Sequence, residues 1–344
     1  MTSELTRINN KISKFVHEYL LDDNYQLHIE RINHFRSLVD ILLNNMPFID
    51  ETEYKAKVTK EESIKYAYQF LESISKEYGL YLFDKIDKDE INFITFDEAM
   101  KRDFPLTSYT EIVNDKCIIN IVLYEDISDT YSIIHELLHS MNAINDLSNP
   151  NLKPETRDYF TELVSFLGTT LAQDFFMRKY PNNKEFRYDI HDNYYGLYKK
   201  AMGIDYILNL IDAYIFNEVI TNHDIEIIEK DKSNFYLNSV LDYLEEILEY
   251  DDNEFGVDNL DLIYKEGYII AGLLTNYILN NYQTYEERVE VLKDLNELIM
   301  TKDYKVIFNY LDLDVIEHDN WFINLTDDSL NKIEKSFKEE SKKI

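Results

Sequence analysis

A mainly α-helical fold with a small antiparallel β-sheet is predicted for this chain of 344 residues, from three observations. Apolar residues recur at helical spacing, i, i+3, i+4 and i+7, through most of its length. Only seven glycines and five prolines are present, too few for a loop-rich or all-β protein of this size. The β-branched and aromatic runs that favour strands are concentrated between Ile91 and Tyr124. With 45% hydrophobic residues the chain can bury a sizeable core. The expected organisation is an N-terminal helical segment over 1–60 and a main domain over 61–344, packed as one unit.

From Glu4 to about Leu43 the stripe runs Ile8, Ile12, Phe15, Val16 and Leu20, then Ile29, Ile32, Phe35, Leu38, Ile41 and Leu42. Asp22-Asp23-Asn24 divides it into two helices and Met46-Pro47 ends it. Glu62–Tyr78 predicts a helix with Ile64, Ala67, Tyr68, Leu71 and Ile74 on one face and Gly79 as its C-cap. Ile91–Phe96 reads as a strand. Thr107–Val113 and Lys116–Tyr124 read as a hairpin closed by Asn114-Asp115.

Asp126 to Asp129 start the next helix, with Ser128 or Asp126 as N-cap. Inside it, Ser132–Met141 reads S-I-I-H-E-L-L-H-S-M and contains His135, Glu136 and His139 in the H-E-x-x-H arrangement. Residues four apart on a helix stack one above the other, so His135 and His139 can close on one metal ion. Glu136 is rotated by about 100° around the axis, where it can reach a water molecule at the metal instead of the metal itself. Ile134, Leu137, Leu138 and Met141 form a separate apolar stripe, which predicts one side in a core and the other turned to a cleft. This order also allows an edge strand beside the helix, at Asn120, Ile121 and Val122, to pair with an extended peptide backbone. The alternative is a hairpin that only covers the core.

Pro154 opens the following helix, Glu155 to about Met177, at a position that suits proline. Among its Phe, Leu and Val runs a polar line, Asp158, Glu162, Ser165 and Thr169, and an unpaired buried carboxylate is costly. Glu162 is therefore the candidate third ligand, and Asp158, one turn earlier, a candidate to orient a ligating imidazole. Tyr188–Lys199, Met202–Asn222 and Phe235–Tyr250 read as helices, with Asn222–Lys232 charged and exposed. Leu260–Tyr282 is a helix that carries Tyr264 and Tyr268 on one face and two glycines, Gly267 and Gly272, where helix propensity disfavours them. Tight packing accounts for that composition, and so does a tyrosine hydroxyl aimed at a developing oxyanion. The rest of the chain reads as helical packing without recognisable chemistry.

Sixty-six acidic against 35 basic residues make the formal net charge −31, which excludes nucleic acid and anionic membranes as natural partners. Cys117 is the one cysteine, so no intrachain disulfide can form. The N-terminal residues lack the apolar block of a signal peptide and no segment matches a membrane span. A cytoplasmic location is the simplest expectation, with export that needs no N-terminal signal still compatible. The sequence leaves oligomeric state open.

His135, Glu136, His139 and Glu162 resemble the glutamate zincins, the thermolysin-like clan of metallopeptidases. The T-E-L-V-S-F run around Glu162 and the order of small sheet, metal helix, glutamate helix and late tyrosine helix look most like the oligoendopeptidase and thimet oligopeptidase family, in a short or divergent form. The resemblance implies a zincin-like, helical two-lobed architecture around a cleft and a zinc-dependent endopeptidase acting on short or unfolded peptides. It implies one zinc ion on His135, His139 and Glu162, with Glu136 as general base and Tyr268, or next Tyr264, as oxyanion stabiliser. The chain departs from the family at Leu138, where a glycine is usual, at Asn142, where a further histidine often follows, and in having no histidine before Tyr264. Two rival readings are a selective, toxin-like protease of one protein and a metal-stabilised binding protein that has lost catalysis.

Overall fold

Among the described residues, helical periodicity becomes helix almost wherever it occurs. The computed structural model describes residues 2–17, 25–45, 56–102, 104–114, 116–147, 154–183, 185–230, 262–299, 304–318 and 322–340. In order these hold α1 (Thr2–Phe15), α2 (Tyr25–Asn45), α3 (Lys60–Ile74), α4 (Lys76–Asp87), β1 (Ile91–Thr95), α5 (Phe96–Arg102), β2 (Tyr109–Val113) and β3 (Lys116–Leu123). Then come α6 (Ser128–Leu147), α7 (Pro154–Lys179), α8 (Glu185–Asn217), α9 (Asn222–Lys230), α10 (Leu262–Asn281), α11 (Tyr285–Ile299), α12 (Tyr304–Tyr310), β4 (Val315–His318), β5 (Phe322–Leu325) and α13 (Asp327–Glu340). The expected helix over Phe235–Tyr250 lies outside the described residues. The chain divides into two compact units, one of residues 1–47, 196–273 and 312–344 and one of 48–195 and 274–311.

In the second unit α6 packs on α7, α3 and β3, and α7 packs on α11. Its three-stranded sheet has the order β1-β3-β2. The β2–β3 pair is the expected antiparallel hairpin, with Val113 opposite Lys116 and Asn114 at φ 51°, the left-handed turn geometry that asparagine tolerates. The sheet is mixed, however, because β1 pairs in parallel with β3, Ile91 opposite Ile119. The helix α5 enters between β1 and β2 and lets β1 return on the far side of β3.

Gly79 does not cap α3. That helix begins in a capping box between Thr59 and Glu62 and ends at Ser75, whose extended backbone breaks it and whose hydroxyl accepts from the Tyr78 N–H at the start of α4. Gly79 lies inside α4, where a Cβ would come within 2.9 Å of the Tyr68 ring and 3.3 Å of Glu72 Cβ. It permits the close turn of α4 against α3. Tyr66, Phe176, Tyr180 and Phe186 form an aromatic cluster in the same unit, with Phe186 stacked at 5.4 Å on both Phe176 and Tyr180.

In the first unit α13 packs on α2, and β4 and β5 form an antiparallel hairpin where helical packing is expected from the sequence. Strands of four residues leave too short a period-2 pattern to read. The expected break between two helices around 200 is absent, and α8 runs through 33 residues. Ala201, Met202, Ile204, Ile207 and Leu208 are all buried there, and that burial outweighs the propensity cost of the intervening glycine. The charged segment after 221 is also helix, as α9, because Thr221 and Asp224 bond reciprocally across its first turn. Gly272 of α10 receives the Leu197 side chain, which a Cβ would overlap at Cδ2 and meet at 3.0 and 3.2 Å from Cδ1 and Cγ. A buried ion pair, Arg31 to Glu266 at 3.0 Å, and a bond from the Leu325 N–H to His34 Nε2 at 2.9 Å tie α2 to α10 and β5.

Candidate metal centre

Two helices and one strand of the second unit build the site. The helix α6 starts where the Asp126 carboxylate accepts from the Ser128 N–H at 2.8 Å and from the Ser128 hydroxyl. One residue further, Asp129 is fully buried and accepts the N–H groups of Tyr124 at 2.8 Å and Glu125 at 3.0 Å. These two hydrogen bonds from main chain to side chain hold the turn by which α6 leaves β3, through the left-handed Glu125 at φ 57°. Burial pushes the Asp129 carboxyl up to about 6, against the lowering effect of these hydrogen bonds.

The sign of the resulting pH dependence follows. A folded-state value above the unfolded value of about 3.9 means that the full stabilising contribution exists only below pH 4. It is lost as pH rises through 6. Asp129→Asn keeps one acceptor, so one of the two N–H groups loses its partner, at a cost of about 1–3 kcal/mol. The stability advantage of the natural protein over this variant should shrink between pH 4 and 7 by up to about 3 kcal/mol. Urea unfolding at several pH values measures it, and a difference that stays constant with pH contradicts the assignment.

Along α6, Ile134, Leu137 and Leu138 are fully buried, whereas the His135 and His139 side chains keep 19% and 16% of their surface exposed. Their Nε2 atoms face each other at 3.0 Å. From α7 the buried Glu162 carboxylate closes the triangle, at 3.5 Å from His135 Nε2 and 3.4 Å from His139 Nε2. Burial acts to raise the Glu162 carboxyl, but the charge of His139 and hydrogen bonding to both imidazoles outweigh it and hold the group well below the usual carboxylate range.

A tetrahedral zinc ion with bonds of about 2.0–2.1 Å needs donors about 3.3–3.4 Å apart. The three separations fall around that value. Two imidazoles and one carboxylate also form the donor set that leaves a fourth position for water or substrate. The residues fit the ion.

Leu138 stands directly before His139, and the space for it comes from the other helix. A Cβ on Gly168 of α7 would overlap Leu138 Cδ1. A glycine on the glutamate helix thus lets the two helices approach with a leucine on the metal helix.

Glu136 is buried and does not join the triangle; its Oε2 accepts from the Thr110 hydroxyl of β2 at 2.8 Å. Thr110 was not anticipated, because it is an ordinary strand threonine whose partner lies 26 residues away. Asn120, Ile121 and Val122, expected on an edge strand, lie instead on the central strand of the sheet. Asn120 pairs with Asn92 and Tyr109, Ile121 with Phe93 and Val122 with Ile94. The Asn120 amide donates to Glu111 at 2.9 Å and accepts from Asn92 at 3.0 Å. Thr110 is opposite Ile119, so by strand alternation Asn120 occupies the other face of the sheet. Among the described strands β2 lies at an edge of the sheet, and it is the strand that carries Thr110 to Glu136.

The side chains of Asp158 and Tyr264 lie outside the described ones. Tyr268 is on α10 in the first unit, half-buried, with the Lys200 ammonium 3.2 Å from its ring centroid. Asn142, one turn beyond His139, is buried, and among the described residues neither of its amide atoms has a hydrogen-bond partner.

No protein-family model matches the chain, and no curated protein matches it. Among solved structures the fold is similar to one described as "putative oligoendopeptidase F from Bacillus anthracis str. Ames", with a TM-score of 0.50 at 12% identity over 98% of this chain. The chain spans 56% of the length of that structure. A second, described as "putative peptidase from Chlamydophila abortus", aligns over all of this chain and 56% of its own, at 15% identity and a TM-score of 0.48. Among the described residues no helix is long and apolar enough to cross a membrane.

Proposed function

We propose that this protein is a zinc-dependent metallopeptidase that hydrolyses bonds in short or unfolded peptides. The observation that carries the reading is the triangle of His135, His139 and Glu162, with Glu136 next to His135 on the same helix. The likeness in fold to the structure described as "putative oligoendopeptidase F" is consistent with it. A bound zinc ion would supply Lewis acidity, polarising the scissile carbonyl and acidifying the attacking water.

The chain's own residues do the rest. His135 and His139 offer Nε2 lone pairs, and Glu162 offers the negative charge that partly balances the ion. Glu136 takes the proton of the attacking water on its carboxylate and passes it to the leaving amine nitrogen. The edge strand β2, in place of the central strand that holds Asn120, Ile121 and Val122, pairs with an extended substrate backbone. Tyr268, and Tyr264 after it, are oxyanion donors in this proposal on the strength of the family resemblance alone.

The test is to load the protein with zinc, determine the stoichiometry, and follow cleavage of a quenched peptide library beside intact folded proteins. One zinc per chain and peptide cleavage that chelation abolishes and zinc restores are expected. Cleavage of a single folded protein and no short peptide would favour the selective protease, and zinc binding without any cleavage would favour the binding protein. Failure to bind zinc ends the reading.

A further inference from the structure

We propose that Thr110 is a positioning residue for Glu136, holding the carboxylate of the general base in one orientation from the edge strand. The inference rests on the peptidase reading for its kinetic consequence, though its structural basis does not. Thr110 is the second residue of β2, and the ladder to β3 fixes its backbone opposite Ile119. Being β-branched, it has few χ1 choices, so a fixed backbone also fixes the direction of Oγ1.

The hydroxyl lies within reach of two acceptors on the same residue. They are Glu136 Oε2 at 2.8 Å and the Glu136 carbonyl oxygen at 3.1 Å. Its single hydrogen favours the shorter bond, to the carboxylate oxygen, and the neighbouring carbonyl keeps the hydroxyl on that side. Among the described residues no other side chain hydrogen-bonds to the Glu136 carboxylate.

A glutamate has three rotatable side-chain bonds, and a general base must lie within hydrogen-bond reach of the proton it takes. Displacement by about 1 Å can cost about a hundredfold in rate. With Oε2 anchored to the strand, the second oxygen is directed by the geometry of the carboxylate plane. The same strand offers the open edge to substrate, so one element would locate both the peptide and the base.

The test compares the natural protein with Thr110→Val, which keeps shape and strand propensity without the hydroxyl, and Thr110→Ser, which keeps the hydroxyl without the methyl. Against a quenched peptide, Thr110→Val should lower kcat about 10–100-fold with KM within about twofold and zinc content unchanged. Thr110→Ser should return kcat to within a few-fold. An unchanged kcat in Thr110→Val, or a kcat equally low in Thr110→Ser, overturns the proposal. High-resolution crystal structures of the two metal-free proteins provide a readout independent of turnover. The Glu136 carboxylate should take a single orientation in the natural protein and several in Thr110→Val, and equal order in both overturns it. Should the natural protein cleave no peptide, the peptidase reading fails while the crystallographic comparison still decides Thr110.

Discussion

Glu136→Gln should abolish peptide hydrolysis, lowering kcat by about 10²–10⁴-fold, while leaving one zinc ion bound per chain. The substitution changes the basicity of one group and almost nothing else. Glutamine has the same length, and its amide oxygen can still accept the Thr110 hydroxyl, so the buried side chain retains its partner. Glu136 stands outside the triangle of His135, His139 and Glu162, so metal affinity should be preserved. Retained metal together with lost turnover separates a general base from a ligand. Hydrolysis at the natural rate in Glu136→Gln would show that another group takes the proton.

Glu162→Gln should have the opposite signature, losing metal first and activity as a consequence. The carboxylate supplies the only negative charge in the triangle and lies 3.4 and 3.5 Å from the two imidazole nitrogens. A neutral amide oxygen is a poor substitute for an anionic ligand to a doubly charged ion. The zinc dissociation constant, measured by competition with a chromophoric chelator, should rise by more than about a hundredfold. The stabilisation on adding zinc should disappear with it, because a ligand stabilises the fold only to the extent that it binds. A melting temperature that still rises with zinc in Glu162→Gln, at the same concentration, would place the ion elsewhere.

Local chemistry accounts for what could be read before any coordinates. The spacing of His135 and His139 follows from the pitch of one helix, and the Asn114 turn from the left-handed tolerance of asparagine. Glu162 could be picked out because a carboxylate among the Phe, Leu and Val residues of its helix needs a partner, and the two imidazoles lie beside it. Gly79 misled because a glycine near the end of an apolar stripe resembles a cap. Whether it ends one helix or admits the neighbouring one depends on Tyr68 and Glu72, which the pattern does not order. The strand carrying Asn120, Ile121 and Val122 misled for a related reason, since no local signal says which strand of a sheet is central.

By itself the amino-acid sequence determined the helical class, the hairpin and the candidate donors, because each depends on residues within a few turns or one loop of one another. Tertiary structure alone decided that β1 joins β3 in parallel, leaving β2 at an edge, that Gly168 makes room for Leu138, and that Thr110 reaches Glu136. Those contacts connect distant segments whose separation in space is set by packing as a whole, and packing leaves no periodic trace in the order of residues.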